Sequence, residues 1–306
     1  LLVPVTFLAT EPAALGPDGQ PVPDIGPLTV SSNAFVGEVV IPLSGFGMSD
    51  ACCHPVIIVA EGEEVVPQTA LHLDASQSWC PGTITQVQWS LEQPVGSMSA
   101  LLPSATSVAP VLHANVVGPY VLRLEVNDDL GSGSCVPAQT NVLVINDEAI
   151  HVELLWDTPN DPDQTNDGPE AGADLDLHFV HPFATGPDLD GDGAPDGWFD
   201  QPFDTFWFNP HPNWGSLDSA VDDDPGLDLD DTDGAGPENV NLNQPADGMT
   251  YKVGVHYWND HAFGPSDATV RIYFFSALVF EIAGVELLNK DMWCVARIHW
   301  GPQPEV

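Results

Sequence analysis

The sequence predicts an all-β protein made of several β-sandwich domains, and three observations point to this fold class. Proline and glycine are abundant, with 30 and 27 residues in a chain of 306, which favours many short connections. Short apolar runs such as residues 121–126 lie between these turn residues, and no segment has the periodicity of an amphipathic helix. Because 43% of the residues are hydrophobic, the chain can build cores and is not expected to be disordered.

The charge of the chain is strongly one-sided. It has 45 acidic residues against 5 lysines and arginines, which gives a formal net charge of -40. No lysine or arginine lies between residues 124 and 251, so the acids of that segment lack basic neighbours along the chain. Self-repulsion of this size indicates bound metal or a very salty habitat. It also repels nucleic acid and anionic membranes, and since there is no apolar run of 18 residues, we expect no membrane insertion.

The first domain is predicted over residues 1–49, with strand candidates at residues 3–9, 27–32 and 38–43. Leu-Thr-Val-Ser-Ser-Asn-Ala from residue 28 and Val-Ile-Pro-Leu-Ser-Gly-Phe-Gly from residue 40 resemble the closing half of an ASH-type immunoglobulin-like repeat of bacterial surface proteins. Such sandwiches need about 100 residues, so the resemblance implies a partial domain. We expect that either upstream sequence is missing or another subunit completes the sandwich.

The second domain is predicted over residues 50–148. Its strand candidates are residues 56–60, 69–73, 84–90, 119–126 and 140–145. The segments Leu-Asp-Ala-Ser-Gln-Ser from residue 73, Gly-Thr-Ile-Thr-Gln-Val-Gln-Trp-Ser from residue 82 and Gly-Pro-Tyr-Val-Leu-Arg-Leu-Glu-Val from residue 118 resemble a PKD domain. The resemblance implies that Trp89 is the core tryptophan of the third strand and that Tyr120 opens the strand before the last turn. It also implies a spacer or binding module.

The five cysteines are Cys52, Cys53, Cys80, Cys135 and Cys294. They form no Cys-x-x-Cys pair, which argues against a zinc ribbon or a thioredoxin-like site. Disulfides are the better interpretation, and they favour an extracellular or cell-surface location. In an immunoglobulin-like topology the first four cysteines lie at one pole, so the vicinal pair can bridge to Cys80 and Cys135 and leave Cys294 free. A Cys80 to Cys135 bond, with the vicinal pair otherwise engaged, is the open alternative.

The third domain is predicted over residues 149–306, with strand candidates at residues 175–180, 251–258 and 269–275. Ala-Asp-Leu-Asp-Leu-His from residue 173, Asp-Pro-Gly-Leu-Asp-Leu-Asp-Asp from residue 224 and Gly-Pro-Glu-Asn-Val from residue 236 resemble the YfaP-like (DUF2135) and pre-peptidase C-terminal sandwiches of secreted bacterial proteins. The resemblance implies a non-enzymatic unit whose acidic motifs hold calcium. The predicted fold is therefore a tandem of immunoglobulin-like β-sandwiches with a larger C-terminal β-sandwich.

Within this third domain the acidic residues are grouped at the spacing of metal ligands. The sharpest group occupies positions 1, 3, 5 and 9 of an EF-hand-like loop: Asp188, Asp190, Asp192 and Asp196. Gly193 takes the turn at position 6, but Phe199 stands where an EF-hand has its bidentate glutamate. The loop therefore is not a standard EF-hand, and it resembles the calcium loops of thrombospondin type 3 repeats. The alternative is an Asp-Gly turn kept soluble by its charge.

A second calcium site is expected where the strand at residues 174–176 meets the loop at residues 228–238. Its candidate ligands are Asp174, Asp176, Asp224, Asp228, Asp230, Asp231, Asp233 and Glu238. Strand alternation predicts that Asp174 and Asp176 share one face, and that Asp228 and Asp230 share another. The alternative is two solvated strand faces, which would suffer like-charge repulsion.

The remaining candidate residues allow more than one interpretation. A third acidic group lies in a loop rich in proline and asparagine, where metal binding and a plain solvated loop are equally open: Asp157, Asp161, Asp163 and Asp167. Aromatic residues interleaved with the acids are expected to pack in the core, and sugar binding is their alternative: Trp198, Phe199, Phe203, Phe206, Trp207, Phe208 and Trp214. The ten histidines show no His-Glu-x-x-His motif, so zinc is a minor alternative.

The sequence contains no nucleophile elbow, phosphate-binding loop or dinucleotide fingerprint, so we expect a protein that is not an enzyme. The predicted function is a calcium-stabilised extracellular structural or adhesive protein, with a filament subunit assembled by strand complementation as its specific form. Expected partners are other copies of the chain or other surface proteins. Two alternatives stay open: calcium-dependent carbohydrate-binding modules with polysaccharide as partner, and an accessory region of a secreted hydrolase.

Overall fold

A computed structural model describes residues 24–31, 38–45, 52–165, 171–218 and 220–306. These residues form β-strands, bridges, turns and bends without α-helix, so the all-β prediction is confirmed. No helix in the described part of the chain is long and apolar enough to cross a membrane. The chain divides into two compact units, of which the first comprises Leu1–Pro55, Ser78–Gln86 and Glu125–Pro137 and the second comprises Val56–Gln77, Val87–Leu124 and Ala138–Val306.

The first unit contains a two-stranded antiparallel sheet. Strand β1 (Asp24–Ser31) pairs with strand β2 (Glu38–Gly45), from Asp24 opposite Gly45 to Ser31 opposite Glu38. The strands predicted at residues 27–32 and 38–43 are therefore present with longer bounds. The strand predicted at residues 3–9 lies outside the described residues.

Two disulfides staple the first unit. Cys52 bonds to Cys135 and Cys53 bonds to Cys80, with Cα–Cα distances of 5.2 and 4.1 Å, while Cys294 is free and exposed. The structure therefore has the predicted pairing in which the vicinal cysteines bond to Cys80 and Cys135, and it does not have the alternative bond between Cys80 and Cys135.

The residues predicted to form the PKD-like domain make two four-stranded sheets. One has the order β4-β10-β9-β6 and the other the order β3-β5-β8-β7. The strands are β3 (Ile58–Val59), β4 (Glu64–Val65), β5 (Thr69–Asp74), β6 (Ile84–Glu92), β7 (Leu101–Leu102), β8 (Val111–Ala114), β9 (Gly118–Asp128) and β10 (Ala138–Val144). Trp89 and Tyr120 are 1% and 0% exposed, so both predicted core aromatics are buried.

The C-terminal part of the second unit is a β-sandwich of nine strands. They are β11 (Ile150–Asp157), β12 (Asp174–Val180), β13 (Asp204–Thr205), β14 (Gly226–Leu227), β15 (Glu238–Leu242), β16 (Thr250–Asn259), β17 (Ser266–Phe274), β18 (Ala277–Leu287) and β19 (Met292–His299). One sheet has the order β14-β15-β11-β17-β18 and the other the order β13-β12-β16-β19. Their facing apolar residues, among them Leu154, Leu177 and Val255, form one buried cluster.

Strand β12 is buried on both of its faces, and this positions the candidate site. Leu175, Leu177 and Phe179 belong to the apolar core. The alternate residues Asp174, Asp176 and His178 point to the opposite face, where they are also buried. The long loop between β12 and β15 covers that face, because its rings at residues 198, 199 and 206 lie against His178.

Candidate metal centre

Three carboxylates converge beside strand β12. Asp174 and Asp176 lie on the strand, Asp230 lies in the loop that precedes β15, and carboxylate oxygens of all three lie within 4.8 Å of one another. Asp174 is 7% exposed and Asp176 is 1% exposed. The strand at residues 174–176 and the loop at residues 228–238 therefore meet, as the sequence predicts.

Glu238 connects the two segments that carry this cluster. It is the first residue of β15 and is fully buried. Its Oε2 accepts the N–H of Leu177 at 2.7 Å, and its Oε1 accepts the N–H of Asp231 at 3.1 Å. One side chain thus ties strand β12 to the acidic loop. Burial, together with the charges of Asp176 and Asp230, raises the pKa of Glu238 well above its usual value.

The cluster has an excess of negative charge, carried by two buried carboxylates, Asp174 and Asp176, and by the exposed carboxylate of Asp230. Burial raises the pKa of Asp174 to about 7, with Asp176 and Asp230 adding to the effect. Burial and Asp176 also raise the pKa of Asp230. Within the described residues, no lysine or arginine forms an ion pair with these three carboxylates. The group therefore needs protons or a bound cation to be stable.

Two oxygen atoms in this cluster are well placed to bind a cation. Asp174 Oδ1 and Asp176 Oδ2 are buried and accept no hydrogen bond. The nearest cationic candidate is His256, whose Nδ1 lies 3.4 Å from Asp176 Oδ2, but the geometry does not make a hydrogen bond. Since buried polar atoms are rarely left unsatisfied, the orphaned oxygens fit a hard cation such as calcium, which binds carboxylate oxygen.

The loop at residues 188–196 forms a second, exposed group. Oxygens of Asp188, Asp190 and Asp196 lie within 4.8 Å of one another. The two oxygens of Asp188 accept the N–H groups of Gly191 and Gly193 at 2.7 and 2.9 Å. Both glycines have positive φ, 77° and 90°, a backbone conformation that glycine adopts without strain.

Asp192 stands apart from this exposed group. Its Oδ1 accepts the N–H of Ala194 at 2.8 Å, and its carboxylate is not among those that converge. The structure therefore brings together three of the four carboxylates predicted for this loop.

Asp224 and Asp228 have other partners in the structure. Asp224 Oδ1 accepts the N–H of Trp214 at 2.6 Å, and the carboxylate of Asp228 accepts the side-chain amide of Asn241. The prediction that Asp228 and Asp230 share a strand face is wrong, because strand β14 ends at Leu227. These carboxylates shape the loop around the cluster.

Asp231 and Asp233 lie at the edge of the buried cluster. Asp231 is 4% exposed, and its Oδ1 accepts the N–H of Asp233 at 3.2 Å. Its charge acts on Asp174. Asp233 instead faces Asp161 and Asp163, whose charges contribute to its raised pKa after burial.

A buried histidine that the sequence analysis does not predict lies on the same strand face as Asp174 and Asp176. His178 is fully buried, and its Nδ1–H donates to Asp204 Oδ2 at 2.7 Å. Burial raises the pKa of Asp204, while His178 opposes that effect. The ring of His178 stacks on Phe206, with centroids 5.0 Å apart. The one available signal was the alternation of residues 174, 176 and 178 on a single strand face.

The aromatic residues of the acidic loop divide into buried and exposed sets. Trp198, Phe206 and Trp214 are 3–4% exposed, in agreement with core packing. Trp207 and Phe208 are exposed, and the ring of Trp207 lies 6.2 Å from that of Trp258, which is also exposed. An exposed pair of indoles therefore lies on the same domain as the acidic cluster.

Comparisons with known proteins give no family. No family model matches the chain, and no curated protein matches it. A solved structure of domains 4–9 of the surface layer protein SbsC aligns with 91% of this chain and 38% of that chain. The identity is 11% and the TM-score is 0.21. The chain thus spans well under half of that structure, and a superposition this loose carries no domain assignment.

Proposed function

We propose that this protein is a non-enzymatic, calcium-stabilised structural or adhesive protein that works outside the cell. The observation that carries the proposal is the pair of buried, orphaned oxygens of Asp174 and Asp176 beside Asp230. Calcium takes about six to eight oxygen ligands in flexible geometry, whereas magnesium keeps several waters and few carboxylates. A group of two buried carboxylates and one exposed carboxylate is therefore better suited to calcium.

The burial of this site favours a structural role over a catalytic one. Catalytic metal sites keep a coordination position open to substrate, whereas structural sites are closed by protein ligands. Asp174 and Asp176 are at most 7% exposed, whereas Asp230 is exposed, so two of the three carboxylates are shielded from a substrate. The two disulfides favour an oxidising compartment, where calcium is also abundant enough to fill sites of modest affinity.

Thermal unfolding of Asp176→Asn, with excess calcium and with excess chelator, tests the site. The matched control is Asp147→Asn, which removes an exposed carboxylate. A filled site at 100 times its dissociation constant adds about 2.7 kcal/mol, so we expect calcium to raise the melting temperature of the parent and the control by several degrees. Asp176→Asn should gain clearly less. An equal gain in Asp176→Asn and the parent would contradict the proposal.

Self-association is the second part of the proposal, and strand β18 offers a surface for it. β18 is a strand of 11 residues that pairs with β17 alone among the described strands. Leu278 and Val279 on this strand are 51% and 44% exposed. An open, partly apolar strand edge is a template for pairing with another chain.

Light scattering in calcium tests assembly through this edge. We expect large particles from the parent at high protein concentration, and smaller ones from Val279→Lys, because an inserted charge opposes edge pairing. Val95→Lys is the control and should assemble like the parent. Val95 is 83% exposed and lies among the residues predicted to form the PKD-like domain. A parent that stays monodisperse would contradict assembly.

A carbohydrate-binding function is the second candidate, and the exposed pair of Trp207 and Trp258 favours it. Flat aromatic faces stack on the apolar faces of sugars, and a charge of -40 selects against anionic polymers. Affinity electrophoresis in neutral polysaccharide gels tests this function. Retardation should weaken in Trp207→Ala and persist in Phe183→Ala, a control at another exposed aromatic residue. Equal mobility of the parent with and without polysaccharide would reject this candidate.

A further inference from the structure

The loop that follows β11 contains a buried carboxylate with an unsatisfied oxygen. Asp161 is 8% exposed, its N–H donates to the carbonyl of Thr158 at 2.9 Å, and its Oδ1 accepts the N–H of Asp163 at 3.0 Å. Its other oxygen, Oδ2, is buried and has no hydrogen-bond partner. The loop therefore fixes the position of a carboxylate oxygen that accepts no hydrogen bond.

A second carboxylate converges on the same point from another loop. A methyl group placed on Gly172 would lie 3.1 Å from Asp161 Oδ2 and 3.3 Å from Asp233 Oδ1. It would also lie 2.8 Å from the backbone nitrogen of Gly234. The absence of a side chain at Gly172 thus lets both carboxylates approach the same point of the backbone closely.

The surroundings of this space are negative. Burial, followed by the charges of Asp161 and Asp163, raises the pKa of Asp233, and the N–H groups of Gly172 and Gly234 oppose that rise. In the described part of the chain, no lysine or arginine pairs with Asp161 or Asp233. His261 is committed to the backbone, because its Nδ1–H donates to the carbonyl of Gly172 at 2.6 Å.

We propose that Asp161 Oδ2 and Asp233 Oδ1 hold a second cation next to Gly172, two residues before Asp174 of the first site. The chemistry selects a hard divalent cation such as calcium, with water completing its oxygen shell. The cation joins the loop after β11 to the loop before β15, two segments far apart in sequence. Because different carboxylates bind each ion, this second site stands independently of the first.

Equilibrium dialysis with radioactive calcium, which counts the ions bound per folded chain, tests the proposal. Asp161→Asn removes the charge and keeps the shape, and Gly172→Ala places a methyl group against both carboxylates and keeps every charge. We expect each variant to bind one ion fewer than the parent, or to bind that ion at least tenfold more weakly. Asp157→Asn, at the last residue of β11, is the nearby control, since its exposed carboxylate is engaged with Gln164, and it should bind as many ions as the parent.

The outcomes separate this site from the first. If Asp161→Asn and Gly172→Ala bind as many ions as the parent with equal affinity, the second site is rejected, whatever Asp176→Asn shows. If they lose one ion while Asp176→Asn loses none, the second site holds and the first site is rejected. A parent that binds no calcium rejects both. Near-ultraviolet circular dichroism shows whether each variant is folded, and the two variants serve as alternatives if one fails to fold.

Discussion

At the scale of single residues, the free energy of unfolding of the C-terminal sandwich depends on whether protons or a cation neutralise Asp174, Asp176 and Asp230. An unpaired buried charge costs several kcal/mol, and it is removed by a proton or balanced by a cation. Burial raises the pKa of Asp174 to about 7, so a proton would compete with a bound cation for its oxygens. Stability in chelator and stability in calcium should therefore respond to pH in opposite ways.

The first prediction concerns pH in the presence of chelator. The pKa of Asp174 is about 7 in the folded protein against an ordinary value of 3.8, so between these values the folded chain binds more protons than the unfolded chain. Its contribution to stability is then complete below pH 4 and is lost as pH rises through 7. Between pH 5 and pH 7.5 we expect a loss of up to about 3 kcal/mol relative to Asp174→Asn. The free energy of unfolding from urea titrations at pH 5 and pH 7.5 measures it, and a parent that gains stability over Asp174→Asn in this range would refute it.

A second prediction concerns Glu238. Both of its carboxylate oxygens accept backbone N–H groups, and an amide nitrogen cannot accept a hydrogen bond. Glu238→Gln should therefore lower the free energy of unfolding by about 1–3 kcal/mol, in calcium as well as in chelator. Glu286→Gln, at an exposed position, should change it little. Chemical denaturation of both variants decides the matter, and equal stability would show that the two bonds are not required.

At the scale of elements, the alternation of apolar and polar residues predicts most of the strands well. The sequence does not predict which strands pair with one another. The strands around Trp89, Leu177 and Val255 follow from apolar alternation and turn residues. The prediction for Asp228 and Asp230 was wrong because Leu-Asp-Leu-Asp has the alternation of a strand, whereas strand β14 ends at Leu227, although the backbone N–H of Asp228 still bonds to β15.

The partly predictable site shows the same limit. The meeting of residues 174–176 with residues 228–238 followed from charge, since carboxylates concentrated on two segments without nearby cations need a shared counterion. The contact between His178 and Asp204 did not, because it joins residues 26 positions apart through a fold that no local pattern specifies. The convergence over Gly172 depends on three segments and is likewise invisible in sequence.

A third prediction belongs to the disulfide-linked element. The bond between Cys53 and Cys80 closes a loop with a sequence separation of 27, and chain-entropy estimates give such a bond about 3–4 kcal/mol. The free energy of unfolding of the double variant Cys53→Ala, Cys80→Ala should be lower by that amount. The double variant should therefore unfold at a lower denaturant concentration than the parent. Cys294→Ala, at the free exposed cysteine, is the control and should unfold like the parent. Unfolding curves that coincide for the double variant and the parent would contradict a stabilising role.

At the scale of the whole molecule, the charge of -40 on 306 residues destabilises the folded state through repulsion among carboxylates. Bound cations and salt both reduce this repulsion. Bound calcium acts at particular carboxylates, whereas monovalent salt screens over a length of about 10 Å at 0.1 M. The two effects are therefore separable by experiment.

The fourth prediction uses that difference. In chelator, we expect the melting temperature to rise markedly between 50 mM and 500 mM sodium chloride, because screening weakens the repulsion among carboxylates. In saturating calcium the rise should be smaller, since part of the charge is already neutralised. Calorimetry in the four conditions measures both slopes. Equal slopes with and without calcium would mean that calcium does not neutralise the charge that opposes folding.

The most direct test of the calcium account is a crystal structure grown in calcium, with anomalous diffraction data. The account predicts an anomalous peak between Asp174, Asp176 and Asp230, with oxygen ligands at about 2.3–2.6 Å. A well-ordered cluster without such a peak, in which the carboxylates bond to water or to one another, would contradict it.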